Sequence, residues 1–232
     1  MPPRRKMNAL FWLVVVGHLS VASRAWAMIH PQLIRRSASA TTTTSLRSFP
    51  DLDLGKLFGI TIQSKETDKI ERERLKAQLL DLCQQKSKVE RARLEEIIKA
   101  LAPMSPTPNS ASSPLLQKEW ILTWTTEKEI NFFIDFGIAS QVSQIIRGTA
   151  LGNEIAFARG GGLFVAGTLR VEEPDSMRTY FKFDTATLDL GKWGTYSFPP
   201  VGEGWFDTVY LDDKLRIDLN SRNDILICQA KP

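Results

Sequence analysis

The segment that decides the fold class is Gly204-Trp205-Phe206-Asp207-Thr208-Val209-Tyr210-Leu211-Asp212-Asp213-Lys214-Leu215-Arg216-Ile217. Aromatic and β-branched residues, which strands favour, are concentrated on both sides of Asp212-Asp213. The two aspartates are turn-forming residues, because their short side chains hydrogen-bond to nearby backbone. The segment therefore predicts an antiparallel hairpin, with strands over 205–211 and 214–218.

Strand-like runs of the same kind continue through the last half of the chain. Trp120, Leu122 and Trp124 alternate with Ile121, Thr123 and Thr125, and Gly-, Pro- or Asp-containing turns separate the later runs. Besides the two strands of the hairpin, the runs cover 120–125, 142–147, 154–158, 163–171, 178–185 and 225–228. About eight short strands at close spacing predict a mainly β fold, an antiparallel barrel or sandwich.

Residues 66–102 predict a helical hairpin in front of the strands. Apolar residues recur there at helical spacing, opposite a charged face, and neither Gly nor an internal Pro interrupts residues 66–101. Ser87-Lys88-Val89-Glu90 matches a capping box, so a second helix is expected to begin near 88. The apolar stripe either packs against its own domain, which is the favoured interpretation, or docks on a partner helix or a membrane surface.

Residues 103–117, rich in proline and serine, are interpreted as an extended linker between the helices and the strand domain over 118–232. The first 50 residues form a leader with seven basic residues and no acidic one. Residues 1–27 combine a basic start, a short apolar run and small residues, which is typical of a signal peptide. Residues 28–50 are free of acids and rich in Ser and Thr, which is typical of an organelle transit peptide. A plain secretory signal followed by a spacer is the alternative.

Charge and composition exclude several classes of function. Residues 51–232 contain 23 basic and 26 acidic residues, so no basic excess favours nucleic-acid binding. Both histidines, His18 and His30, lie in the leader. A mature chain therefore has no His-based catalytic triad and no His-ligated metal, and we expect neither catalysis, nor a metal, nor a cofactor. Cys83 and Cys228 are interpreted as two buried thiols, although a long-range disulfide stays open.

Two motifs resemble the plastid lipid-associated protein (fibrillin) family. Residues 120–126 (WILTWTT) are similar to the opening strand of that family, and residues 204–217 resemble its G-W-[FL]-D-T-x-Y-[LM]-D-[DE]-x-[LI]-R-[IV] hairpin. The resemblance covers 66–232 and implies a lipocalin-like antiparallel β-barrel. It also implies a non-catalytic protein of thylakoids or plastoglobules, associated with lipids, quinones or carotenoids. The two-part leader resembles those of algae with secondary plastids, with Trp26 in the place of the usual Phe.

The resemblance and the aromatic-rich strands suggest a ligand site, with two alternatives left open. Tyr210, Asp212 and Arg216 are expected to form a polar cluster at the barrel mouth, with Arg216 bridging Asp207 or Asp212. Aromatic side chains either line an apolar pocket or simply fill the barrel. The candidate ligand-binding residues are Trp120, Trp124, Phe164, Phe181, Tyr210, Asp212 and Arg216. A filled barrel would leave an interaction module that docks on lipid particles or a protein, and an enzyme acting on an apolar substrate is the least favoured alternative.

Overall fold

The structure, a computed structural model, describes residues 54–85, 91–199 and 202–232. The leader, the capping box at 87–90 and Val201 with its neighbour Pro200 lie outside the described residues. Three helices are described: α1 (Leu54–Gln84), α2 (Arg91–Leu101) and α3 (Lys128–Asp135). The first begins 12 residues before the predicted start at 66, and α2 begins at Arg91.

Nine antiparallel strands follow the first two helices, and eight of them close into a ring. They are β1 (Glu119–Thr125), β2 (Ala139–Arg147), β3 (Ala150–Phe157), β4 (Gly162–Arg170), β5 (Arg178–Asp189), β6 (Thr195–Phe198), β7 (Glu203–Leu211), β8 (Leu215–Asn220) and β9 (Ile225–Ala230). Neighbours in the ring are neighbours in sequence, apart from β6, and the pairing of β1 with β9 closes it. An eight-stranded ring is just wide enough to be filled by side chains or to hold one small ligand.

Strand β6 stands outside the ring order and was not predicted. Residues 186–189 of β5 pair with β6, while residues 178–182 of the same edge pair with β7. Thus β6 and β7 lie one after the other along the single long strand β5. Pro199 and Pro200 stand between them in the sequence, and proline lacks the N–H group that a continuous strand would donate.

The helical pair packs on the outer wall of the ring, as the favoured interpretation of its apolar stripe expected. Buried side chains of α1 and α2 meet buried outward-facing side chains of β7, β8 and β9 in one core. The helices contribute Leu75, Leu79, Leu82, Cys83, Leu94, Ile97, Ile98 and Leu101, and the strands contribute Tyr210, Leu215, Ile217, Ile225 and Ile227. Because this face is covered by its own sheet, it is not a free surface for a partner.

Residues 103–117 connect the helices to the strands as expected, but they are not extended. Three short 3-10 turns, Ala102–Met104, Ser110–Ser112 and Pro114–Leu116, fold the segment onto one end of the ring. The Ser110 hydroxyl donates to the Thr208 carbonyl at 2.7 Å, and the Ala111 N–H donates to the Ser176 carbonyl at 3.2 Å. Prolines break regular structure, but the apolar residues between them are still buried when a surface is available.

Both cysteines are buried free thiols, so the predicted thiols are confirmed and the disulfide is absent. Burial raises the pKa of Cys83 and of Cys228 to about 12. Since the thiolate is the reacting form, we expect neither to react with a thiol reagent at ~pH 8 in the native protein. Two equivalents are expected to react after unfolding in denaturant. Stoichiometric labelling without denaturant would contradict the burial of these two side chains.

Candidate functional site

Register and alternation decide which strand residues face the inside of the ring. On β8, Leu215 and Ile217 pack against the helices, so Arg216 and Asp218 between them face inward. On β7 the inner face carries Phe206 and Thr208, and a register shift between Thr208 and Tyr210 then turns Tyr210 outward. The helix-covered wall therefore places two opposite charges, Arg216 and Asp218, inside the ring.

Arg216 spans the interior and is 1% exposed. Its Nε lies 2.9 Å from Asp218 Oδ2 in an ion pair, although the N–H group is not aligned for a hydrogen bond. Its Nη2 donates to Gln144 Oε1 on β2 at 2.6 Å, across the two intervening strands β9 and β1. The Trp120 and Phe206 rings lie 5.3 and 5.8 Å from its Cζ, within cation–π range.

Below Arg216 the interior is filled. We call the end with the 148–149, 171–177 and 212–214 connections the lower end. Trp120 is 0% exposed there and donates from Nε1 to the Leu116 carbonyl at 3.0 Å. Inward-facing buried residues complete this lower core: Ile146, Leu151, Leu169, Phe206, Leu211 and Cys228. Leu116, from the segment 103–117 that was predicted to be a linker, packs into this core and closes the lower end.

Above Arg216 the interior is only partly covered. The upper end carries α3 and the connections 158–161, 190–194 and 221–224. Most inward-facing residues at this level are half-buried, although Ala186 and Leu188, the register partners of Val165 and Leu163, are buried. The half-buried residues are Leu122, Val142, Ile155, Phe157, Leu163, Val165, Phe183 and Leu226. Buried Phe133 of α3 stacks on Phe157 at 6.1 Å and narrows the opening. We call this half-buried, largely apolar part of the inner wall the upper cup.

Tyr210 and Asp212 do not meet Arg216, so that part of the predicted cluster was wrong. The Tyr210 hydroxyl donates to Asp212 Oδ2 at 2.9 Å, and Lys76 Nζ of α1 lies 2.6 Å from the same oxygen. Asp212 Oδ1 accepts from the N–H groups of Lys214 and Leu215. Asp212 therefore ties α1 to the predicted hairpin turn, on the helix side of the wall.

Asp207, the other partner expected for Arg216, pairs with Arg178 instead. Arg178 donates two hydrogen bonds to the Asp207 carboxylate, at 2.7 and 2.8 Å, in the planar arrangement that suits a guanidinium and a carboxylate. Its Cζ also lies 3.7 Å from the Trp205 ring centre. Because Arg178 and Asp207 are register partners on β5 and β7, the pair fixes this junction of the ring wall.

The remaining candidate residues divide between the two faces of the wall. Trp120 lies in the lower core, and Phe181 faces inward beside Phe183 at 4.9 Å. Trp124 packs against the helix-covered core, because a register shift between Leu122 and Trp124 interrupts the alternation of β1. Phe164 is exposed and alternates with inward-facing Leu163 and Val165.

The sequence reasoning missed several inward-facing polar residues, among them Gln144, Asn153 and Asp218. Asp218 had a usable signal, since residues two apart on a strand share a face and Arg216 faces inward. Burial raises the pKa of Asp218, while Arg216 and the Thr208 hydroxyl, which donates to it at 2.7 Å, oppose that rise. Gln144 and Asn153 carried no such signal, because neutral amides are common on both faces of strands.

We expect Asp212→Asn to destabilise the fold by about 1–2 kcal/mol, because it weakens hydrogen bonds made to a charged group. Burial alone would raise the pKa of Asp212, but Lys76, the Lys214 and Leu215 N–H groups and Tyr210 together lower it. A lowered carboxyl pKa stabilises the fold above the ordinary aspartate value of ~3.9, and this contribution is lost as the pH falls through the folded pKa. The difference between wild type and variant should therefore shrink below ~pH 4 in urea unfolding.

The matched control for that variant is Asp213→Asn, on the exposed neighbour in the same turn. A surface position without such partners should change stability by less than ~0.5 kcal/mol. Equal losses from the two variants would contradict the role of Asp212 as the tie between helix and hairpin.

The described part of the chain contains neither a cluster of metal-ligating side chains nor a membrane-spanning helix. Among residues 54–85, 91–199 and 202–232, no three His, Cys, Asp or Glu side chains are grouped as they would be around a metal ion. None of the described helices combines the length and the apolar character that crossing a membrane requires.

The ring and its helix-braced wall define a closed antiparallel β protein, with a packed lower core and half-buried apolar residues on most of its upper inner wall. A family model described as PAP_fibrillin matches residues 73–229. The Arabidopsis thaliana protein "Probable plastid-lipid-associated protein 11, chloroplastic" is 33% identical over 174 residues, covering 69% of this chain and 81% of that protein. The chain belongs to the PAP/fibrillin family of plastid lipid-associated proteins. No solved structure matches it significantly.

Proposed function

We propose that this chain is a non-enzymatic plastid lipid-associated protein, and that its strand ring acts as a lipocalin-like barrel for one hydrophobic small molecule. The ligand classes are lipids, quinones and carotenoids. The observation that carries the proposal is the contrast between the buried lower core and the half-buried upper cup. Family membership and the name of the Arabidopsis relative support the plastid and lipid parts of the proposal.

The binding energy in this proposal comes from apolar burial. Each Å² of apolar surface removed from water contributes ~25 cal/mol, so a ring or chain seated among the half-buried side chains of the cup is held without covalent chemistry. Phe183 supplies aromatic surface on β5, with Phe181 beside it at the border of the lower core, and Leu122 and Leu226 supply aliphatic surface on the opposite wall. Trp120 and Arg216 support the cup from below, and Trp124, Phe164, Tyr210 and Asp212 lie outside it.

The test is a titration of the full chain with plastoquinone and with a carotenoid, followed by tryptophan quenching and by co-elution in gel filtration. We expect saturable binding of about one molecule per chain, because an eight-stranded closed sheet holds at most one small ligand. Val165→Glu should weaken it about 10-fold or more, because it places a charge among the inward-facing apolar residues. Ala166→Glu is the matched control, since Ala166 is exposed on the outer face.

Two outcomes would contradict the proposal. Absence of saturable binding in a protein shown to be folded would mean that the ring is closed to ligands. Equal binding by Val165→Glu and Ala166→Glu, with both folded, would place the ligand outside the cup.

A second function, docking on a lipid surface, is favoured by one observation at the upper end. Phe136, just after α3, is 71% exposed, and Trp193, in the 190–194 connection, is 70% exposed. Exposed aromatic rings at one end of a protein suit the boundary between lipid and water. We propose that this end contacts the thylakoid or plastoglobule surface, in place of the helical pair, whose apolar face is already covered.

Flotation with lipid vesicles tests the docking function. Phe136→Ser combined with Trp193→Ser should release the protein from vesicles, while Ile70→Ser, at an exposed position on α1, should not. If Ile70→Ser alone released the protein from the vesicles, the helical pair would be the docking surface instead.

A further inference from the structure

The polar floor of the upper cup has a fixed direction of hydrogen bonding. Arginine has only donors, so the Gln144 side chain must present its oxygen to Arg216, as the 2.6 Å contact shows. Gln144 is then obliged to use Nε2 toward its register partner Asn153, and it donates to Asn153 Oδ1 at 2.9 Å. The chain of bonds runs from a buried cation to a half-buried amide.

The end of this chain is a free donor. With Oδ1 already accepting from Gln144, Asn153 keeps its Nδ2 group, which donates to no other atom in the part of the chain that the structure describes. Asn153 is half-buried, and it shares the inner face of β3 with Leu151 below it and Ile155 above it. Its other register partner is Val165, a residue of the upper cup.

The floor is also electrically neutral. Along the described ring strands, Arg216 and Asp218 are the charged residues that alternation places on the inner face, and they are paired with each other. An anionic ligand head would therefore lose its hydration without meeting an uncompensated positive charge. A neutral acceptor loses much less, and a single N–H donor satisfies it.

We propose that the upper cup selects apolar molecules that carry an uncharged carbonyl oxygen, and that Asn153 Nδ2 donates to this oxygen, held in place by Gln144 and Arg216. The proposal rests on the proposed function, since it names the chemical class that the cup accepts. Asn153 is the binding residue in this scheme, and Gln144 is a positioning residue that sets which way the Asn153 amide faces.

The experiment measures the binding of three probes to the full-length protein. All three carry the same decyl tail: a decyl-substituted benzoquinone, decylbenzene, and a fatty-acid anion whose carboxylate is attached to a decyl chain. Because a hydrogen bond to a neutral group is worth about a 3- to 10-fold change in affinity, the quinone should bind tighter than decylbenzene by about that factor. The anion should bind weaker than the quinone. In Asn153→Asp, which still accepts from Gln144 but has no N–H group, the quinone should lose its advantage over decylbenzene.

A second variant tests the direction of the chain. In Gln144→Glu the new carboxylate accepts from both Arg216 and Asn153, so the Asn153 amide turns and presents its oxygen to the cup. This variant should bind the quinone weakly but retain the corresponding quinol, whose hydroxyl can donate. Glu154→Gln, on the outer face next to Asn153, is the control and should keep the wild-type preference.

The outcomes separate this inference from the function on which it rests. Equal binding of quinone and decylbenzene by the wild type, or an unchanged preference in a folded Asn153→Asp, would overturn the carbonyl selection and leave the apolar cup standing. Binding of none of the three probes would overturn both. Loss of the quinone preference in Asn153→Asp, with decylbenzene still bound, supports the inference.

Discussion

Arg216→Met is expected to destabilise the protein by about 3–5 kcal/mol, the usual cost of removing one partner from a buried ion pair. Methionine fills similar space but leaves Asp218 without its counter-charge in the ring interior. Burial already raises the pKa of Asp218, and loss of Arg216 raises it further. A carboxyl with a raised folded pKa is least costly when protonated, so the loss should be smaller at ~pH 5 than at ~pH 8 in urea unfolding.

Two further variants identify the cause of that loss. Arg216→Met combined with Asp218→Asn removes the charge but leaves an acceptor for the Thr208 hydroxyl, so it should recover a large part of the stability. Arg74→Met is the matched control, because Arg74 pairs with Glu71 on the exposed face of α1 and should change the unfolding midpoint little. If Arg216→Met cost no more than Arg74→Met, the interior pair would not be a structural element.

Trp120→Ala should cost a similar amount, about 3–5 kcal/mol, through a different mechanism. The side chain is completely buried in the lower core, between Arg216 and the segment that closes the lower end. Its removal leaves a cavity, breaks the hydrogen bond from Nε1 to the Leu116 carbonyl, and takes away a ring that faces the guanidinium. Thermal unfolding followed by circular dichroism measures the loss.

Trp193→Ala is the corresponding control, since Trp193 is mostly exposed at the upper end. It should change stability by less than ~0.5 kcal/mol. If Trp120→Ala and Trp193→Ala reduced the stability by similar amounts, the lower half of the ring would not be the packed core described above.

The strands of the ring were predictable because alternation with a period of two and turn residues are visible in the sequence. Strand β6 was not, since four residues between a glycine-containing turn and two prolines carry too little pattern. Helix α3 was missed for a different reason. Its Phe132-Phe133 pair has the composition of a strand, and the position of the helix depends on tertiary contacts such as Phe133 on Phe157 and Arg222 with Glu129.

The candidate site was predictable in its residue types but not in its geometry. Strict alternation would place Trp124 with Trp120 and Tyr210 with Thr208, on one face each. The register shifts in β1 and β7 move Trp124 and Tyr210 to the helix side of the wall. Neither strand contains a residue type from which such a shift could be predicted. Long-range partners such as Gln144 for Arg216 depend on ring closure, which local sequence does not specify.

The closure between β1 and β9 has a consequence for how the chain acquires its fold. Strand β1 (119–125) pairs with β9 (225–230), about 100 positions later in the sequence. The ring therefore cannot close until β9 is available. Contacts this distant in sequence form slowly, because a long loop must be ordered before they contribute. Until then both terminal strands have unpaired edges, which are open to pairing with other chains. Synthesis or transport that delays the final residues thus prolongs the period in which this protein can aggregate.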